Sequence, residues 1–170
     1  TIMSSRNPFG IPTNVRGLET SFRGSYKVIS SKGEGFVREN EILTNKKIAD
    51  KYKIMVTRIM SEHAGEPDKN GQLNVLATIR VLYPKEVCTD SYIVGGVFDG
   101  VQSAENMALY LKTRFVRFLL LQAAASINLS KTTYSFVPLQ DFSHPWTDEM
   151  LYKKYGLTDE EIAFIESMIR

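Results

Sequence analysis

The chain has 170 residues, 43% hydrophobic and 11% aromatic, which suits one domain with an ordinary core and excludes a disordered chain. One cysteine, Cys88, excludes an internal disulfide and fits a reducing cytoplasm; no signal peptide is visible, and no apolar run approaches the roughly 20 residues of a membrane span. The net charge of +2 is uneven: residues 1–60 hold 11 Lys/Arg against 5 Asp/Glu, residues 61–140 hold 7 of each, and residues 141–170 hold 3 against 7. A basic N-terminal third suits a phosphate-bearing partner, with a plain solvated surface as the alternative.

Residues 1–24, with Pro8, Pro12, Gly10, Gly17 and Gly24, read as irregular. Tyr26–Ser30 and Gly35–Arg38 flank Ser31-Lys-Gly-Glu34 and predict a hairpin. Asn45–Tyr52 predicts a helical turn, and Lys53–Ile59 a strand, because it is rich in β-branched residues. Glu62–Gly71 reads as a loop, Leu73–Val81 alternates in part, and Val87–Phe98 reads as one β run ending at Gly95-Gly96. Residues 101–125 predict one long helix, with Ala104, Ala108, Leu111, Phe115, Phe118 and Leu119 on a stripe of 3.6 period and Asp99 with Gln102 as an N-terminal capping pair. Lys131–Val137 looks strand-like. Thr147-Asp-Glu opens a short helix stopped by Gly156, and Thr158-Asp-Glu-Glu161 is a capping box ahead of the apolar stripe Ile162, Ile165, Met168 and Ile169. The expected class is α+β: a mixed or antiparallel sheet with one long helix and a C-terminal pair of short helices.

Catalytic patterns are sparse. Asn7-Pro8-Phe9 has the outline of an amino-methyltransferase motif but lacks its second proline and a preceding buried strand, so it reads as a turn. Gly95-Gly96 through Gly100 lacks the spacing of a cofactor turn and reads as a strand end and helix entry. None of the twelve lysines has Asp or Glu two positions before it, so the simple metal-nuclease pattern is missing. His63 and His144 stand far apart, which argues against zinc, and Cys88 reads as a core thiol.

Arg6, Arg16, Arg23, Lys32 in its turn, and Lys131 with Tyr134 put basic, hydroxyl and aromatic groups where phosphates and base edges could be reached. Arg114 and Arg117 read more simply as neutralising the helix or pairing with acids. Tyr152-Lys-Lys-Tyr155 reads as a packed helical tail whose lysines pair with acids, and Trp146, Phe136 and Phe142 read as core anchors.

The C-terminal blocks Tyr134-Ser-Phe-Val-Pro-Leu-Gln-Asp-Phe142, Trp146-Thr-Asp-Glu149 and Leu151-Tyr-Lys-Lys-Tyr-Gly-Leu-Thr-Asp-Glu-Glu-Ile162 carry a resemblance, together with Ser5–Gly10, Cys88–Tyr92, Ala104–Asn106 and Tyr110–Phe118. In order and spacing they resemble the C-terminal target-recognition region of bifunctional type II restriction-modification enzymes, which join an adenine-N6 DNA methyltransferase, a nuclease and a DNA-reading domain. The resemblance implies that residues 1–170 are a single target-recognition domain, a fragment of a longer enzyme, similar in fold to DNA-methylase specificity domains. The implied partners are double-stranded DNA and the catalytic domains of the parent chain, in the cytoplasm and without a membrane. It implies no cofactor in this fragment, with S-adenosylmethionine and Mg2+ used by the parent enzyme. Site residues carried over are Ser5, Arg6, Asn7, Thr89, Ser91, Lys112 and Arg114. The alternatives are a divergent metal-dependent nuclease using Asp90, Asp99 and Glu105, and a structural module acting through Trp146–Arg170.

Overall fold

The structure is a computed structural model that describes residues 3–59, 66–76, 78–124 and 128–170. In chain order these form β1 (Tyr26–Ser30), β2 (Gly33–Val37), α1 (Lys46–Ala49), β3 (Tyr52–Thr57), β4 (Ile79–Leu82), β5 (Glu86–Cys88), β6 (Tyr92–Phe98), α2 (Val101–Lys112), α3 (Arg114–Ala123), α4 (Asp148–Tyr155) and α5 (Asp159–Met168). The class is α+β, as the pattern of elements predicts. Residues 62–65 of the expected loop, His63 among them, and Ala125 at the end of the expected long helix lie outside the described residues.

The strands make two three-stranded sheets rather than one. β4-β3-β6 is antiparallel throughout, whereas β2-β1-β5 is mixed, with β1 antiparallel to β2 and parallel to β5. The division falls inside the expected β run Val87–Phe98. At Thr89-Asp90-Ser91 the chain turns, with the Tyr92 amide donating to the Thr89 carbonyl at 3.1 Å. Asp and Ser favour such a turn because their short polar side chains compete for backbone bonds. The run before it pairs with β1 and the run after it with β3.

Alternation along β3 explains the layering. Ile54 and Val56 face a core shared with α2, α3 and the C-terminal helices, while Met55 faces a second core built from β1, β2, β5, Phe9 and Ile11. In β6, Ile93 and Val94 divide in the same way. The antiparallel sheet is therefore sandwiched between a helical layer and the mixed sheet. Lys53 shares the Met55 face and is fully buried. Its ammonium donates to the carbonyls of Ala49, Lys51 and Tyr83 at 2.9, 2.9 and 3.1 Å, which uses all three of its donors. Burial pushes its pKa down to about 8.

The expected long helix is two. Thr113, at φ −61° and ψ 149°, ends α2 and caps α3: its hydroxyl donates to the Tyr110 carbonyl at 2.7 Å and accepts from the Val116 amide at 3.3 Å. Asp148, from α4, also accepts from the Arg114 and Phe115 amides at 3.1 and 2.9 Å. The start of α3 thus receives both a local cap and a tertiary one. At the start of α2 the cap residue is Gly100, without a side-chain cap; Asp99 pairs with Lys51 and Gln102 bonds Asn106, so the expected capping pair is not formed.

Thr133–Phe136 is a 3-10 helix, not a strand. Ser130 and Thr133 each accept the other's backbone amide at 3.3 Å, a local exchange that competes with sheet pairing. Phe142 is a core residue as expected, but Phe136 is 62% exposed. The C-terminal helices begin and end where their caps predict: Thr147 caps α4, Gly156 closes it at φ 64°, and the Thr158–Glu161 capping box opens α5. Asn106, 2% exposed, donates to the Phe142 carbonyl at 2.9 Å, and Tyr110 donates to the Pro138 carbonyl at 2.7 Å. These bonds fasten the 138–142 segment to α2. Lys154 is held by Gln140 at 2.6 Å and lies 4.6 Å from the Trp146 ring, rather than pairing with an acid.

Ile165 and Ile169 are buried in the helical core, and Phe164 meets Phe118 edge-on at 6.0 Å. Ile165→Ala is expected to lower stability by about 2–5 kcal/mol, read from the urea midpoint at unchanged slope. Lys53→Met strips the donor from three buried carbonyls and is expected to cost about 3 kcal/mol at pH 7. Between pH 8 and roughly 10.4 the unfolded chain holds a proton on Lys53 that the folded chain has lost, so wild-type stability rises with pH there. The gap between wild type and Lys53→Met should therefore widen from pH 8 to 10 in parallel urea titrations; a narrowing gap would refute the lowered pKa.

Candidate functional site

Three chain segments converge at one end of the antiparallel sheet. The first is Met3–Arg6, which runs along the free edge of β6: the Ser4 amide donates to the Val94 carbonyl at 2.7 Å, and the Ser4 hydroxyl accepts from the Val94 amide at 3.1 Å. The second is the end of β3, where the Arg58 amide donates to the Ser91 carbonyl at 3.2 Å. The third is the segment from Asn128, tied down by the Leu129 amide on the Arg58 carbonyl at 2.7 Å. The Ser130–Thr133 exchange then turns the backbone so that Lys131 and Thr132 stand exposed at the rim.

Between them lies a crevice of about 430 Å3 lined by Ser5, Arg6, Arg58, Asn128, Ser130, Lys131 and Thr132 over an apolar floor of Ile93 and Leu129. Three cationic side chains, three hydroxyls and one amide thus surround a space of a few water molecules' width. Arg58 Nε is buried and makes no hydrogen bond within the protein. Arg6 and Ser5 also line an adjoining crevice of about 340 Å3 with Pro8, Asn45 and Ile48, so they form the ridge between two hollows. On the ridge, Arg6 Nη2 contacts Asp90 Oδ2 at 3.1 Å.

The structure divides the expected site residues. Ser5, Arg6 and Lys131 come together. Ser91 lies beside them and contributes its carbonyl to Arg58. Asn7 follows at φ 50° in a turn closed by the Gly10 amide on the Asn7 carbonyl, with Phe9 fully buried behind it. Thr89 and Tyr134 are fully buried, so neither reaches a ligand surface; burial pushes the Tyr134 hydroxyl pKa up, and that hydroxyl makes no hydrogen bond within the protein. The expectation of a DNA contact from these two is therefore corrected: both pack the fold.

The remaining candidates lie outside the crevice. Arg16 bonds the Thr13 and Val15 carbonyls of its own loop, Arg23 is exposed ahead of β1, and Lys32 sits at the tip of the β1–β2 hairpin. Arg114 donates to the Ile169 carbonyl at 3.2 Å, binding α3 to the end of α5. Lys112 lines a separate hollow with Asn74, Leu76, Ile79 and Arg117. Sequence reasoning missed Arg58, read only as part of a strand. Its signal is a cation near the end of a β run rich in apolar residues.

Gly96, at φ 57°, lies within β6, and a Cβ there would come within 2.1 Å of Met107 Sδ, so close strand-to-helix packing requires the glycine. Among the described residues no group of three or more His, Cys, Asp or Glu side chains could hold a metal ion. The acids of the nuclease alternative are dispersed: Asp90 pairs with Arg6, Asp99 with Lys51, and Glu105 is exposed on α2. Cys88 is fully buried, and burial pushes its thiol pKa up, as suits a core thiol. No helix of the described residues is long and apolar enough to cross a membrane.

Tyr134→Phe is expected to leave stability unchanged or raise it by up to about 1 kcal/mol, since it removes a buried hydroxyl without a partner; a loss beyond that in thermal unfolding would show that the hydroxyl is bonded. Compared with models of protein families, with curated proteins and with solved structures, the chain has no match.

Proposed function

We propose that this chain is the sequence-specific DNA-recognition module of a restriction-modification adenine-N6 DNA methyltransferase and endonuclease, acting on double-stranded DNA beside the catalytic domains of its parent chain. One observation carries the reading: Ser5, Arg6, Arg58 and Lys131, from three segments distant in sequence, converge on one polar crevice with an apolar floor. Arginine and lysine neutralise phosphates, and hydroxyls complete the hydrogen bonds to phosphate oxygens. The blocks resembling the restriction-modification signature support the same reading, since Cys88–Tyr92 and Ser5–Gly10 flank this crevice while Ala104–Asn106, Tyr110 and Pro138–Phe142 fasten the fold behind it.

In this reading the parent enzyme supplies the chemistry, with S-adenosylmethionine and Mg2+, in the cytoplasm. The module holds the duplex in register while the target adenine is turned out of the stack into the catalytic domain. A scatter of Asp90, Asp99 and Glu105 gives the nuclease alternative no common site to work from.

A labelled random-sequence duplex titrated at several salt concentrations tests the reading. Three phosphates engaged by Arg6, Arg58 and Lys131 give a log–log slope of about −3, and Lys131→Ala should flatten it by about one. Arg16→Ala and Arg23→Ala should change it less. An absence of duplex binding even at low salt would refute the proposal.

A further inference from the structure

The Arg6–Asp90 contact differs from the ion-pair network between the sheets in a way that bears on the crevice. Lys27 and Arg80 each contact both Glu34 and Glu86, at distances from 2.6 to 4.0 Å, and these four side chains lock the two sheets together. Arg6 and Asp90 instead share a single contact. The second Asp90 oxygen, Oδ1, is buried and makes no hydrogen bond within the protein. A pair whose purpose is to hold two segments together gains most from a two-point fork, and this one leaves half of the carboxylate unused.

The partners are also unequal. The Asp90 side chain is 17% exposed, whereas that of Arg6 is 70% exposed. The Asp90 backbone is held by its amide on the Ile11 carbonyl at 3.0 Å, within the turn closed between Thr89 and Tyr92. Asp90 is thus the fixed member and the Arg6 guanidinium the free one. An exposed single-contact pair contributes little stability, because water and salt screen it. It is easily exchanged for another anion of equal charge. Arg6 lines both crevices of the ridge.

We infer that Asp90 is a built-in competitor for nucleic-acid phosphate: it occupies Arg6 in the free protein and gives way to a phosphodiester oxygen when a duplex binds. The inference rests on the DNA reading above and adds how that site is regulated. Arg6 exchanges one carboxylate partner for one singly charged phosphodiester, while Asp90, held in its turn, stays behind unpaired and opposes the exchange. The consequence is a site with reduced affinity for any isolated anion. Binding then depends on several contacts being made together, which disfavours loose non-specific attachment.

The test uses the 170-residue chain, a fluorescein-labelled random-sequence 20-base-pair duplex, and four proteins: wild type, Asp90→Asn, Arg6→Ala and the double variant. Asp90→Asn keeps the shape of the side chain and should tighten duplex binding about three- to five-fold. Its salt slope should steepen by up to about one, as Arg6 no longer brings its own counter-ion. In the Arg6→Ala background the same change should have less than half that effect on affinity. Thermal unfolding of each variant confirms that the fold is retained. Weaker or unchanged binding by folded Asp90→Asn would overturn the inference, the first outcome making Asp90 a residue that positions Arg6. An equal gain in both backgrounds would also overturn it, assigning the effect to general charge repulsion. If Asp90→Asn unfolds, Asp90→Ser replaces it under the same criteria. Failure of every protein to bind at low salt would instead refute the DNA reading, whereas wild-type binding weakened by Lys131→Ala would leave that reading standing.

Discussion

Burial of β3 on both faces is the constraint on which the rest of the structure depends. Ile54 and Val56 need the helical layer, and Met55 needs the mixed sheet. Neither layer alone would remove this strand from water. A central strand with no solvated face tolerates no unsatisfied polar group, which is why Lys53 is ringed by three carbonyls from α1, the turn after it and the end of the β4 region. The same ring ties Ala49 and Tyr83 to the sheet. A lysine that looks like a charge interrupting an apolar run thus stitches three segments together.

The helical layer follows from how α3 is started. A continuous helix through Thr113 would carry Phe115, Val116 and Leu120 along the line of α2, away from the C-terminal helices. The break redirects them, and Asp148 fixes the new direction by capping α3 from a different helix. Arg114 then reaches the carbonyl of Ile169. Two elements about 35 residues apart in sequence therefore begin at one place, and the acidic surplus of residues 141–170 is partly explained: Asp148 answers exposed amides, and the acids opening α5 sit against the positive end of their own helix.

The crevice is a by-product of those layers. β6 presents a free edge, and an unpaired edge must be covered. Met3–Arg6 covers it through Ser4, which brings Arg6 to the turn at Asp90. The return of the chain after α3 brings Lys131 to Arg58. Each side chain of the ridge is exposed or half-exposed on an anchored backbone, the arrangement that suits binding by loops on a rigid scaffold.

Local pattern was legible in the sequence wherever a cap or turn signal decides structure within a few residues. The hairpin at Ser31–Glu34, the β3 strand, and both C-terminal helices with their Thr147, Gly156 and Thr158 termini follow from side chains bonding their own neighbours, and so does the burial of Ile165 and Ile169 from 3.6 periodicity. Arg6 and Lys131 were legible as exposed cations on loops. Three features were settled only by tertiary structure. The run Val87–Phe98 divides between two sheets because each half finds a different partner strand, and hydropathy is the same for both. The long helix breaks at Thr113, where a carboxylate from α4 joins the local threonine cap on the α3 amides, and periodicity continues across the break undisturbed. Tyr134 and Thr89 are buried while Arg58 reaches the crevice, because exposure is a property of packing and not of residue type. The sequence by itself therefore determined the elements, their caps and the apolar faces, whose causes are local. The tertiary structure decided which strands pair, where the helix turns and which polar side chains meet, because those depend on partners far along the chain.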